Sequence, residues 1–144
     1  MTVRKQFIED KITIANGYLL KARAIFDAMT TEEILHSELN LHTMERYLQL
    51  VVDATLDINN HLIKELNLES AKDLKGTFQI LADNAVLEKE FSQKISEVVG
   101  LRNKIVHQYE KIDNKKFLDD FKKHNEDFDE YFKQIISYLD KGDF

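Results

Sequence analysis

No proline interrupts the 144 residues of this chain, and glycine occurs only four times. These are the two residues that most effectively end helices and shape tight turns. A chain so poor in both has few ways to reverse a β-strand and few obstacles to a long helix. Its 32% of charged residues can furnish the solvent-facing sides that long helices need. The expected fold class is therefore all-α. The length favours one domain spanning residues 1–144, able to bury roughly two thirds of its unfolded surface without cross-links. The lack of cysteine excludes thiol catalysis and thiolate metal sites. No apolar run approaches bilayer length, and charges fall between Met1 and Asp10, where a signal peptide would be hydrophobic. A soluble cytoplasmic protein is expected.

Hydrophobic spacing divides the chain into about five helices. Ile8, Ile12, Ala15, Leu19, Ala22, Phe26 and Met29 recur at alternating four- and three-residue steps, which predicts a first helix over about Val3 to Met29. Thr30 or Thr31, followed by Glu32 and Glu33, reads as the N-cap of a short piece ending near Leu35. His36 to Thr43 has no regular period and reads as a connection. A second long helix, about Leu41 to Leu66, carries an apolar surface wide enough to meet two neighbours. Ser70 with Asp73 resembles a cap for a short helix over about Ala71 to Asp83. Glu88 to about His107 and Lys115 to Leu139 complete the set, the latter capped by Asp113 or Asn114 and carrying a phenylalanine stripe interrupted by Asn125. Short connections between such helices imply an antiparallel bundle. The breadth of the second helix also leads us to expect that two chains dimerise.

The densest chemistry lies in Gly100-Leu-Arg-Asn-Lys-Ile-Val-His-Gln-Tyr109. Within one helical segment it gathers an arginine able to clamp a phosphate, an asparagine, an imidazole with an ordinary pKa near neutrality, and a tyrosine. On a helical wheel Asn103 and His107 share a face, whereas Arg102 and His107 diverge by about 140°. One isolated helix therefore does not aim both at one atom, and a second copy could supply the missing partner. Gly100 sits mid-helix at a propensity cost of roughly 1 kcal/mol, which predicts a close backbone approach there.

Charge sharpens the picture. The net charge of −6 argues against general affinity for nucleic acid. Gly100 to Lys123, however, holds seven basic residues against four acidic ones, a local +3 beside −9 for the rest of the chain. Lys104, Lys111, Lys115 and Lys116 are the candidate contacts to a nucleic-acid backbone. Asp57, His61 and Glu65 have a spacing that can hold a metal. A buried His61 bonded to Asp57, or a polar contact across a dimer interface, explains them without one, and no metal or cofactor is expected.

The segment Arg102-Asn-Lys-Ile-Val-His107-Gln-Tyr109, an R-x4-H-x-Y pattern with a polar residue after the arginine, resembles the signature of the HEPN superfamily, specifically its HepT toxin branch. Asp57-Ile-Asn-Asn-His61-Leu-Ile, Phe78-Gln-Ile-Leu and Ile112-Asp113 fall in the order that branch shows, so the resemblance spans nearly the whole chain. It implies a metal-independent endoribonuclease toxin acting as a homodimer with a composite active site, with Arg102 and His107 catalytic and Asn103 supporting. It also implies a minimal nucleotidyltransferase antitoxin that silences the toxin by adenylylating Tyr109. RNA carries its own nucleophile, the 2′-hydroxyl, so an imidazole pair and an arginine suffice for cleavage. Two features depart from the family: inter-helix prolines are missing, and the acidic charge favours a particular RNA, tRNA being the first candidate. The alternative is a non-catalytic HEPN-type bundle that binds a nucleotide or a partner protein.

Overall fold

A computed structural model describes residues 3–107 and 113–142 of the chain. Among these residues it forms eight helices and no strand: α1 (Lys5–Ala28), α2 (Thr31–Leu35), α3 (Glu38–Glu65), α4 (Gly76–Asp83), α5 (Lys89–Ser96), α6 (Val98–His107), α7 (Asn114–His124) and α8 (Glu126–Lys141). None of them is long and apolar enough to cross a membrane.

The spacing of α1 does what its sequence predicts. Ile8, Ile12, Ala15, Leu19, Ala22 and Phe26 are all buried, and Met29 is the C-cap. This stripe lies along α3, and the two helices run antiparallel. Arg4 and Lys11 near the start of α1 reach His61 and Asp57 near the end of α3, while Tyr18 meets Tyr47 farther along. Thr30 and Glu33 form a reciprocal capping box that opens α2.

α3 begins earlier than expected, inside the stretch that reads as a connection. The Ser37 hydroxyl accepts the Asn40 N–H at 3.3 Å and so caps a helix starting at Glu38. Residues on several sides of α3 are buried, among them Leu41, Met44, Leu48, Val52, Leu56 and Leu62, so neighbours surround it. Its end is closed by Asn67 in the left-handed region at φ 58°. The Leu68 and Asn67 N–H groups bond the Ile63 and Lys64 carbonyls in a Schellman arrangement.

Three other boundaries shift for local polar reasons. α4 starts at Gly76 rather than near Ala71, because the Asp73 carboxylate accepts the Gly76 N–H at 2.7 Å. Leu74 consequently lies outside the helix and is exposed. The helix expected from Glu88 to His107 divides at Glu97, where the buried Ser92 and Ser96 hydroxyls donate to the carbonyls three residues back. Such back-bonding competes with the helical ladder and bends it. The helix expected over Lys115 to Leu139 divides at Asn125. There Arg23 from α1 donates to Asn125 Oδ1 at 2.7 Å and to Asp129 at 2.7 Å. Asp113 is the N-cap of α7, accepting the Lys116 N–H.

A polar knot crosses the core where α3, α4 and α8 meet. The fully buried Tyr131 hydroxyl donates to Asn59 Oδ1 at 2.5 Å and lies 3.1 Å from the Thr55 carbonyl. Asn59 Nδ2 donates to Thr77 Oγ1 at 3.0 Å, and Thr77 donates onward to the Leu74 carbonyl. Burial raises the Tyr131 pKa well above its ordinary value and keeps it a neutral donor. Among the described residues no buried side-chain nitrogen or oxygen is left without a partner.

Replacing Tyr131 with phenylalanine should destabilise the fold by about 1–3 kcal/mol, because the Asn59 carbonyl loses its donor in a dry site. Urea unfolding with an unchanged slope would register it, and a midpoint equal to the wild type would refute the role given to the knot. A second expectation concerns His61, whose Nε2 accepts the Arg4 N–H at 3.0 Å. That contact requires an unprotonated Nε2, and burial lowers the pKa from its ordinary 6.5 despite the opposing pull of Glu65. The unfolded chain therefore binds this proton more readily than the folded one. The resulting stability is complete above pH 6.5 and is lost as pH falls through the lowered value. Melting temperature should drop more steeply on acidification in the wild type than in His61→Gln, where an amide oxygen accepts the same N–H without titrating.

Candidate active site

α6 carries the R-x4-H segment and packs on α3 through buried Val99 and Ile105. This packing brings Arg102 to Asp53. Arg102 Nε donates to Asp53 Oδ1 at 2.9 Å, and Arg102 Nη1 donates to Asn103 Oδ1 at 3.1 Å. The guanidinium is thus held on two sides, and among the described residues no bond falls on Nη2. The two charged side chains are 21% and 34% exposed, which leaves the pair within reach of a ligand.

Asp53 is the residue that reading the sequence missed. A signal was present, since it is an acid in the apolar run Leu50-Val-Val-Asp-Ala54 of a helix with buried neighbours on both sides. Its partner, however, is 49 residues away. Asn103 is half-buried, and its side-chain oxygen is turned to Arg102. The supporting part expected of it includes holding the arginine. His107 is exposed at the last residue of α6, one turn beyond Asn103. Tyr109 and Lys111 lie outside the described residues.

The expected basic contacts divide. Lys104 on α6 and Lys116 on α7 line one cleft of about 480 Å³, whereas Lys115 is exposed but does not line it. Lys116 is paired with Asp120 at 2.8 Å, and that hydrogen bond raises its pKa. Gly100 lines the same cleft, and the expectation of a close approach is not met among the described residues. A methyl group placed on it would find none of their atoms within 4 Å beyond its own helix backbone and chain neighbours.

The second cluster singled out by sequence also changes meaning. His61 and Asp57 do not bond each other. Asp57 is salt-bridged to Lys11 at 2.8 Å, and His61 receives the Arg4 N–H and stacks against Phe7. Both serve to dock α1 on α3. Among the described residues no three His, Asp or Glu side chains gather as a metal site would require.

What α3 and α6 assemble is therefore a partly exposed, oriented arginine with an imidazole beyond it on the same short helix. An oriented guanidinium suits a phosphate or a developing oxyanion, and an exposed imidazole suits proton transfer.

Comparison with known proteins points the same way. The chain is 29% identical over 132 residues to the tRNA nuclease HepT of Aphanizomenon flos-aquae, a match spanning 92% of this chain and 89% of that protein. It is 30% identical over 88 residues to the mRNA nuclease HepT of Shewanella oneidensis, spanning 61% of this chain and 66% of that one. Its fold superimposes on the tri-AMPylated Shewanella oneidensis HEPN toxin, solved in complex with an MNT antitoxin, with a TM-score of 0.85 at 22% identity, covering 93% and 99% of the two chains. The model of the Ribonuclease HepT-like family matches residues 15–135, a span that includes both Asp53 and the Arg102 segment. The chain belongs to the HepT-like ribonuclease family.

Proposed function

We propose that this protein is the toxin of a toxin–antitoxin pair, an endoribonuclease that cleaves RNA by attack of the 2′-hydroxyl on the adjacent phosphate. The observation that carries the reading is the clamp on Arg102, held by Asp53 and Asn103 one to two turns from His107 in a HepT-like ribonuclease. A base takes the 2′-hydroxyl proton, the new P–O bond forms as the bond to the 5′-oxygen breaks, and an acid protonates that leaving oxygen. The products are a 2′,3′-cyclic phosphate and a free 5′-hydroxyl. Arg102 meets the charge that builds on the phosphorane. His107 of one chain is the base and His107 of a second copy the acid, because Arg102 and a single His107 diverge by about 140° on their helix. The protein is a homodimer in this reading, and the two nuclease relatives offer a choice of substrate. The one that matches over 92% of the chain is named for tRNA and the one that matches over 61% for mRNA, so tRNA is the first substrate to test.

Asp53 is a positioning residue in this reading. A partly exposed ion pair contributes only about 0.2–1 kcal/mol to stability, whereas loosening a substrate-positioning group can cost about 10²-fold in rate. Asp53→Ala should therefore slow tRNA cleavage by about that factor with little change in melting temperature. His107→Ala should lose about 10²–10⁴-fold, the range for a general acid or base. Purified dimer, tRNA and gel analysis of the product ends would test both. Equal cleavage by wild type and His107→Ala would overturn the enzyme reading and leave the non-catalytic bundle.

Silencing follows from the same segment. The solved relative is AMPylated and sits beside an MNT antitoxin. We assign the corresponding acceptor here to Tyr109, two residues past His107. Of the five tyrosines, Tyr131 is fully enclosed in the core and offers no access to a transferase. Coexpression with the cognate nucleotidyltransferase should add one or more adenylyl groups to the wild type, read by intact mass, and none to Tyr109→Phe. Adenylylation of the Phe variant would move the site elsewhere.

A further inference from the structure

The cleft on the far side of α6 from Arg102 is not used by the reading above. α6 contributes Gly100, Leu101 and Lys104 to its wall, and the buried Leu48, Phe121 and Phe128 close its floor. The about 480 Å³ it encloses falls in the range of sites for single small molecules, far short of a groove for a protein helix.

Three observations point to an occupant from outside the chain. Because the expected long helix divides at Glu97, Gly100 lies in the first turn of α6 rather than in mid-helix, and among the described residues nothing beyond its own helix backbone and chain neighbours comes within 4 Å of where a Cβ would sit. Secondly, the acids of the rim are already paired: Glu97 with Lys75, Asp120 with Lys116, and Asp127 with Lys94. Lys104, on the same rim, makes no ion pair among the described residues. Thirdly, Gly100 and His107 differ by about 20° on the helical wheel and by about 10 Å along the axis. The cleft therefore opens on the same side of α6 as the imidazole, within one or two nucleotides of it.

We propose that this cleft is a subsite for an RNA nucleotide flanking the scissile phosphate, its base seated on the Leu48–Phe121–Phe128 floor against Gly100 and its phosphate on Lys104. The proposal rests on the ribonuclease reading and deepens it. Asp120 and Asp127 at the rim are acceptors, so a base with an exocyclic amino group is favoured over uracil.

The test uses the full-length protein, an oligoribonucleotide with a 2′-deoxy sugar at the cleaved position, and fluorescence anisotropy, beside cleavage of the all-ribose version. Gly100→Leu fills the space and should weaken binding at least tenfold and flatten the preference against flanking uridine. Lys104→Ala should weaken it less and lower the slope of log affinity against log salt by about one. Gly100→Ala, which fits the space among the described residues, should leave the melting temperature at or above that of the wild type and so shows that the position is not held for folding. Unchanged RNA affinity and base preference in Gly100→Leu would overturn the subsite, as would a change in oligomer mass alone, which would mean that a second copy occupies the cleft. Failure of the wild type to cleave any RNA would instead strike the ribonuclease reading. A wild type that binds no oligonucleotide refutes the subsite whether or not it cleaves.

Discussion

The Tyr131 hydroxyl, bonded to the Asn59 side chain and close to the Thr55 carbonyl, is the contact on which the arrangement of helices depends. Apolar contact between helices is non-directional, and α3 is buried on so many sides that hydrophobicity alone leaves its rotation and register open. A buried polar group is different, because a displaced partner leaves it unsatisfied at a cost of about 1–3 kcal/mol. By linking Tyr131 of α8, Asn59 and Thr55 of α3 and Thr77 of α4, the knot admits one register for three helices at once.

That register reaches the site through α3. Asp53 lies two residues before Thr55 and six before Asn59, so the helix segment that is locked in the core is also the one that presents the carboxylate to Arg102. The division of labour follows from burial. The knot is enclosed and holds the fold, whereas the Arg102–Asp53 pair is partly wet and adds little to stability. A directional pair that contributes little to folding is best understood as orienting a guanidinium. The Asn103 bond on Nη1 completes that orientation, and among the described residues no bond falls on the opposite amino group.

Much of the fold was legible in the sequence because α1, α3 and the last helices carry a strong period, and because Thr30 and Asp113 are caps whose chemistry is local. The breaks at Glu97 and Asn125 were not. Periodicity continues across both, and what interrupts the second is Arg23, a residue 102 positions away. The site shows the same division. Arg102, Asn103 and His107 were readable as a spacing within one helix, but their orientation depends on Asp53 in another. His61 illustrates how a sound pattern misleads. Its spacing from Asp57 suggested a mutual bond, yet each is claimed by α1, through the Arg4 N–H and the Lys11 ammonium.

An acidic protein that cleaves an acidic polymer poses an electrostatic question, and the pairing of its cations answers it. Arg102, Lys116 and Lys94 each face a carboxylate in the free protein. A phosphate that arrives at any of them exchanges one anion for another rather than neutralising a bare charge, so little is gained from counterion release. With a net charge of −6, long-range attraction does not make up the difference. Of the lysines lining the cleft, Lys104 makes no such pair among the described residues. In the proposed reading, binding energy then comes from short-range fit, from a base in the cleft behind Gly100 and a phosphate held by an oriented arginine. Such contacts depend on the shape and sequence of the RNA, and an enzyme built on them discriminates among RNAs where a basic surface would take them all.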